Sequence, residues 1–220
     1  MLNAMANPVS IHCVTEPSFG ENAYIVSCRT GGACWIIDPG LPPSASEIAR
    51  QVTKNKLTPA AIVLTHAHAD HIAGIPEILG QFSGLPVYIA NEESKALNDP
   101  RENLSADIGI PFSTGVKESI DLPHGGSLEL DGSTWHILDT SGHSPGGRSL
   151  YCAAAGVVIV GDALFHSSIG RTDFHHSDHD RLIRNIKERL LVLPDETKSY
   201  SGHGPVTTIA RERRHNPFLT

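Results

Sequence analysis

Cysteine is scarce: Cys13, Cys28, Cys34 and Cys152 are the only four in 220 residues, and no two stand in a C-x-x-C spacing. That argues against a thiolate metal site and a thioredoxin-like redox pair, and a chain this long has no need of a disulfide framework. Four reduced thiols in a cytoplasmic protein are the expectation. Long apolar runs are missing too; nothing approaches the roughly 20 residues of a membrane-spanning helix, so no membrane partner is expected. The stretch Met1 to Ser10 has no basic segment leading into an apolar one, so no secretory leader is expected either. Positive charge is also short. With 17 Lys and Arg against 24 Asp and Glu the net charge is −7, which excludes a surface built to neutralise nucleic-acid phosphates. Linkers, repeats and low-complexity stretches are absent, so residues 1–220 are expected to form a single domain.

What is present is a steady alternation of short elements. Strands are expected at Val9 to Thr15 and Asn22 to Ser27, joined by a turn at Pro17 to Gly20, and at Ala33 to Ile37, stopped by Asp38-Pro39-Gly40. Ser44 and Glu47 have the spacing of a capping box, and Ala45, Ile48, Ala49 and Val52 then repeat at helical intervals. Ala60 to Leu64 and Leu85 to Ala90 are short apolar runs, the mark of strands covered on both faces, with a helix over Ile72 to Phe82 between them. Asp99 to Gly126 reads as a long surface loop. Strands follow at Ser127 to Leu130, Thr134 to Leu138, Ser149 to Ala153 and Val157 to Val160. A helix over Asp178 to Leu191 and a strand at Lys198 to Ser201 complete the pattern. Strands interleaved with helices predict a layered α/β sandwich with its helices outside.

Histidine is abundant, 13 in all, and its placement carries the chemistry. His66, His68, Asp70 and His71 fall within six residues, directly after a predicted buried strand. In extended chain His66 and His68 point the same way, and a turn after them brings Asp70 and His71 to a neighbouring position. Imidazole and carboxylate together suit zinc, and also iron or manganese. Three more residues follow strands or lie among glycines: His143 in Ser141 to Gly147, Asp162 after Gly161, and His203 between Gly202 and Gly204. Taken singly, His143 reads equally well as a turn histidine, Asp162 as a helix cap and His203 as a loop residue. Ligand-type residues at several strand ends, however, commonly build one site. Five His and two Asp are too many for one tetrahedral ion and suit two. Ligand counting gives His66, His68 and His143 to the first ion and Asp70, His71 and His203 to the second, with Asp162 bridging. Ions about 3.5–4 Å apart could share a hydroxide made at neutral pH.

The motif His66-x-His68-x-Asp70-His71, with His143, Asp162 and His203 downstream, resembles the metallo-β-lactamase superfamily from Asn22 to Leu219. The resemblance implies an α/β fold of the αβ/βα four-layer sandwich type, with a dinuclear site at one edge. Gly161 to Phe165 and Gly170-Arg171-Thr172-Asp173-Phe174 are similar to the glyoxalase II and persulfide dioxygenase branch. Gly202-His203-Gly204-Pro205 and Glu212 to Leu219 resemble the short glyoxalase II-like hydrolases of bacteria. The true β-lactamases are less similar, one group having Cys where Asp162 stands and another lacking that acid. Full-length glyoxalase II adds a helical domain that helps to hold glutathione, and no counterpart to it follows here.

The resemblance implies a thioester hydrolase acting on S-(hydroxyacyl)glutathione, with two divalent metal ions as cofactors, zinc foremost and iron or manganese also accepted. A hydroxide between the ions would attack the carbonyl, and Asp70 would orient it or carry its proton. Arg171 matches the arginine that contacts the glutathione carboxylate in the dioxygenases and is the expected substrate-binding residue. A structural ion pair is its alternative role; Asp173 would orient a ligand histidine or serve a turn. The alternative activity is a persulfide dioxygenase with one iron on His66, His143 and Asp162. His166, His175 and His176 flank the 170–174 loop, and the Arg211 to Arg214 run reads as a solvated helix face. The expected partner is a small-molecule thioester; oligomeric state is left open.

Overall fold

The computed structural model describes residues 9–220, so what the sequence suggests about a leader falls largely outside the described residues. Strands β1 (Ser10–Thr15), β2 (Asn22–Ser27), β3 (Ala33–Ile37), β4 (Thr58–Val63), β5 (Val87–Ile89) and β6 (Ile120–Asp121) lie side by side in that order. The first two joins are antiparallel and the rest parallel. Parallel neighbours need a crossover, which helix α1 (Ser44–Lys54) supplies between β3 and β4, and α2 (Ala69–Ile72) and α3 (Ile75–Gln81) supply between β4 and β5.

The second sheet contains β7 (Ser127–Leu130), β8 (Ser133–Asp139), β9 (Arg148–Cys152) and β10 (Val157–Gly161). The chain then makes a small ribbon of β11 (Leu164–Phe165) and β12 (Ser168–Ile169) and crosses through α4 (His179–Asn185). It returns as β13 (Lys198–Ser201), parallel to β10, followed by edge strand β14 (Thr207–Thr208) and helix α5 (Ile209–His215). The order across this sheet is β14-β13-β10-β9-β8-β7.

Alternation along the strands explains the layers. On the first sheet Tyr24, Val26, Trp35, Ile37 and Val63 face the second sheet, where they meet Trp135, Ile137, Leu150 and Ile159. Their neighbours Ile25, Ile36 and Ile62 face outward, onto Ile48 and Val52 of α1 and Ile75 and Ile78 of α3. Val158 and Val160 likewise face outward, onto Leu182, Ile186, Leu190 and Ile209. Helix, sheet, sheet and helix therefore stack as the expected αβ/βα sandwich. Trp35 and Trp135 meet across the middle, ring centroids 5.9 Å apart and edge to face.

Local details depart from the sequence reading. The α1 helix forms, but Pro43 is its cap residue and the Ser44 hydroxyl has no partner; Glu47 bonds forward to Arg50 and Gln51 instead of back. The helix expected over Ile72 to Phe82 is broken at Gly74, whose N–H donates to the Gly40 carbonyl. A Cβ on Gly74 would lie 2.6 Å from the Pro39 carbonyl oxygen, so the close approach of two chain segments decides where the helix breaks. The 99–126 loop contains β6. The second long helix is capped by Asp178, which accepts from Arg181 N at 2.9 Å, and passes into a π-turn at Ile186–Leu190. The Arg211 to Arg214 face is docked rather than merely solvated: Arg213 donates to the Leu191 and Leu193 carbonyls and pairs with Asp195. No helix among the described residues is long and apolar enough to cross a membrane.

Trp135 is fully buried at the centre of the inter-sheet core. Trp135→Ala should cost about 3–5 kcal/mol of unfolding free energy, measured as a lowered urea midpoint with little change in slope.

Candidate metal centre

The seven ligand-type residues come together where strands of both sheets end. β4 stops at Val63, a bend follows at Thr65, and His68, with extended backbone, leads into α2, with which Asp70 and His71 turn. His66, His68 and His71 are 2%, 5% and 0% exposed. His143 sits in the β8–β9 connection, Asp162 just beyond β10 and His203 just beyond β13.

A second set of side chains fixes their orientation. Asp38, at the end of β3 with a positive φ of 47°, accepts from Thr65 N at 2.8 Å and Thr65 Oγ1 at 2.6 Å. It also accepts from His71 Nδ1 at 3.0 Å. A carboxylate can only accept, so Nδ1 carries a hydrogen and Nε2 is the nitrogen that faces inward. His143 Nδ1 donates to the Arg171 carbonyl at 2.8 Å, with the same result for its Nε2. Buried Glu93 accepts from Ala67 N at 3.3 Å and Gly146 N at 2.8 Å, tying the His66–His71 loop to the His143 loop. Burial pushes the Glu93 carboxyl above its ordinary range, against the N–H groups that favour its charge. Asp38 and Glu93 carry no motif. Asp38 could be suspected only as the acid ending the strand beside β4, and Glu93 gives no signal in the sequence.

One ligand atom each from His66, His68 and His143 lies within 4.8 Å of the other two, and the same holds for Asp70, His71 and His203. Asp162 touches both groups: Oδ1 is 3.4 Å from His71 Nε2, and Oδ2 is 3.5 Å from both His143 Nε2 and His203 Nε2. Asp70 Oδ2 is 3.2 Å from His203 Nε2. Ligands at about 2.1 Å from a tetrahedral ion stand about 3.4 Å from one another, so this spacing fits metal ions. The unmet bonding capacity fits as well. His66 Nε2, His71 Nε2, His143 Nε2 and Asp162 Oδ1 are buried with no hydrogen-bond partner, a condition native proteins rarely tolerate without an ion or water. Gly202 leaves room for this cluster, since a Cβ there would collide with Asp162 Oδ1 and lie 2.6 Å from His71 Cε1.

The electrostatics divide the site. Burial, then neighbouring imidazoles, hold His66 and His68 well below the ordinary imidazole range; burial also lowers His143. Burial alone would neutralise His71 too, but Asp162, Asp70 and Asp38 together hold it well above that range. Burial opposes the charge of Asp162, yet His71 and His143 keep its carboxyl below the usual carboxylate range, and His71 and His203 do the same for Asp70. A positive charge is thus stabilised among these acids.

His68, Asp70, His143, Asp162 and His203 line the floor of a cavity of about 650 Å³, walled by Phe19, Leu104, Ile108, Phe165, Ile169 and Phe174. Arg171 lines it, bonded through Nε and Nη2 to Asp173 at 2.7 Å each and lying 4.4 Å over the Phe174 ring. Asp173 therefore orients no histidine; the Arg171 carbonyl does that for His143. Of the histidines flanking this loop, His176 meets the cluster, its Nε2 3.0 Å from His68 Nε2.

These features define a class, that of metal-dependent enzymes with a metallo-β-lactamase fold, which binds divalent metal. The model of the metallo-beta-lactamase superfamily matches residues 18–203, and the chain belongs to that family. Among its relatives, a protein named probable metallo-hydrolase YqgX of Bacillus subtilis is 38% identical over 199 residues, covering 90% of this chain and 92% of its own. Hydroxyacylglutathione hydrolase GloC of Haemophilus influenzae is 32% identical, covering 96% of this chain and 98% of its own. Among solved structures, the BLEG-1 B3 metallo-beta-lactamase superposes with a TM-score of 0.90 at 38% identity, covering 96% of this chain and all of that one. TTHA1623 in a di-iron-bound form gives a TM-score of 0.82 at 34% identity, covering 94% of this chain and all of that one.

Removing the Asp38 carboxylate frees His71 to rotate or change tautomer. Asp38→Ala should weaken metal affinity about 10–100-fold, read by competition with a chromophoric chelator. Protons compete with metal for imidazole nitrogen, and depressed His66, His68 and His143 are protonated only at lower pH. His71 and His203 are instead held above the ordinary imidazole range, so acid should displace metal from the Asp70–His71–His203 group first and from the His66–His68–His143 group at lower pH, measured by metal retention across a pH series.

Proposed function

We propose that this chain is a dinuclear metal-dependent hydrolase of thioesters, with S-(hydroxyacyl)glutathione as its substrate and the cytoplasm as its place of action. The observation that carries this reading is the convergence of the unpartnered nitrogens of His71 and His143 on Asp162, which lines an apolar-walled cavity together with His68, Asp70, His143 and His203. The likeness to GloC over nearly the whole of both chains supports the choice of substrate.

In this reading His66, His68 and His143 hold one ion, Asp70, His71 and His203 the other, and Asp162 both. Two divalent ions there would bring the pKa of water to about 7 and polarise the thioester carbonyl. The residues supply the rest. Asp38 and the Arg171 carbonyl keep Nε2 of His71 and of His143 directed inward. Asp70, whose side chain is 19% exposed against 9% for Asp162, is the carboxylate more open to the cavity. In this reading Asp70 would orient the attacking water or carry its proton. The departing thiolate is a good leaving group and asks for no strong general acid. Phe165 and Phe174 exclude water from the acyl chain, while Arg171 and Asp107 offer opposite charges on the cavity wall to the carboxylates and ammonium of a glutathione-linked thiol. The retention of Asp70, His71 and His203 as a compact group weighs for two ions over the single-iron dioxygenase alternative.

Elemental analysis of the purified protein, paired with S-lactoylglutathione hydrolysis under air, tests this directly. About two metals per chain with thioester cleavage and no O₂ uptake is the expected result. Asp162→Ala and His68→Ala should abolish cleavage while remaining folded by circular dichroism. One iron per chain with persulfide-dependent O₂ uptake would assign the chain to the dioxygenases. Cleavage of a chromogenic β-lactam without thioester cleavage would move the substrate to the lactams. Full activity in Asp162→Ala would remove the bridging role.

A further inference from the structure

A second group of ligand-type side chains stands beside the seven, touching them only through His176 and His68. Glu102 stands on the loop that follows a 3₁₀ turn at Asn91–Leu97, and His175 and His176 stand on the loop between β12 and α4. One ligand atom from each lies within 4.8 Å of the other two. His175 Nε2 and His176 Nδ1 are 3.2 Å apart, near the tetrahedral edge derived above. His175 is exposed and the other two are partly so, which gives a hydrated ion a path in. Lys95 Nζ holds Glu102 Oε1 at 2.6 Å, but the lysine is 71% exposed, so an ion competes only with a weak surface pair.

We infer that Glu102, His175 and His176 form a separate divalent-cation site, suited to zinc, that joins two loops across the mouth of the cavity and opposes catalysis when filled. Leu104, Asp107 and Ile108 line the cavity from one loop, and Arg171 and Phe174 from the other. An ion anchored on both loops fixes the width of the entrance. It also acts on the centre through one ring. His176 Nε2 faces His68 Nε2 at 3.0 Å, so Nδ1 is the nitrogen His68 has left for the centre. A neutral imidazole with metal on Nδ1 carries its hydrogen on Nε2. With both sites filled, His68 and His176 would turn N–H against N–H, and the two rings must part. Filling the rim site therefore weakens the hold of His68 on its own ion.

The test is a count. Metal-loaded wild type, His175→Ala and Glu102→Gln are dialysed against micromolar zinc, and bound zinc per chain is measured. Wild type should retain one equivalent more than either variant. Equal counts in all three would overturn the site and leave an ordinary histidine–histidine hydrogen bond. The count needs no substrate, so it decides this inference even where thioester cleavage fails. Excess zinc should also suppress wild-type turnover several-fold, while His175→Ala, which does not line the cavity, keeps its basal rate and resists. Equal inhibition of both would overturn the opposition to catalysis.

Discussion

The inner faces of the two sheets are covered only by each other, and that one packing constraint sets everything else. Tyr24, Trp35, Ile37 and Val63 meet Trp135, Leu150 and Ile159, which fixes one sheet against the other. Once they are fixed, the ends of β4, β10 and β13 fall beside one another along a single edge of the sandwich. Residues far apart in sequence, such as His66 and His203, then share one small volume. The site is a by-product of how the core closes, and the core needs none of the seven polar groups for its own cohesion.

The site in turn rests on groups that are neither apolar nor ligand-like by pattern. Asp38 serves three hydrogen bonds at once, two to Thr65 and one to His71, so it joins the end of β3 to the end of β4 while fixing one imidazole. Glu93 does the same between the 66–71 loop and the His143 loop. Both are buried carboxylates that accept from N–H or O–H donors of two chain segments. Asp38 holds the His71 ring in place, and Glu93 ties together the two segments that carry His66, His68 and His143.

Much of this was legible in the residues themselves. The period-2 and continuous apolar runs located the long strands, and the spacing His66-x-His68-x-Asp70-His71 exposed half of the cluster because those residues are local in the chain. What escaped was decided by contacts at long range. The break at Gly74 depends on the Pro39–Gly40 turn coming within reach, which no local window contains. The roles of Asp38 and Glu93 depend on which strands become neighbours. Asp173 illustrates the opposite error: its carboxylate stood close to a candidate in sequence, yet it is the backbone carbonyl of Arg171 that meets His143. Side-chain type alone does not reveal a carbonyl's role.

The order of elements in the second sheet has a bearing on biosynthesis. β13 lies between β10 and β14, parallel to β10, and is laid down only after α4 has crossed over. His203 follows it, and Gly202 seals the space beside Asp162. A chain still growing on the ribosome therefore presents the His66–His71 segment for most of its synthesis without the wall that completes the cluster. Assembly of the site is a late event, timed by β13 and His203 rather than by the motif that appears first.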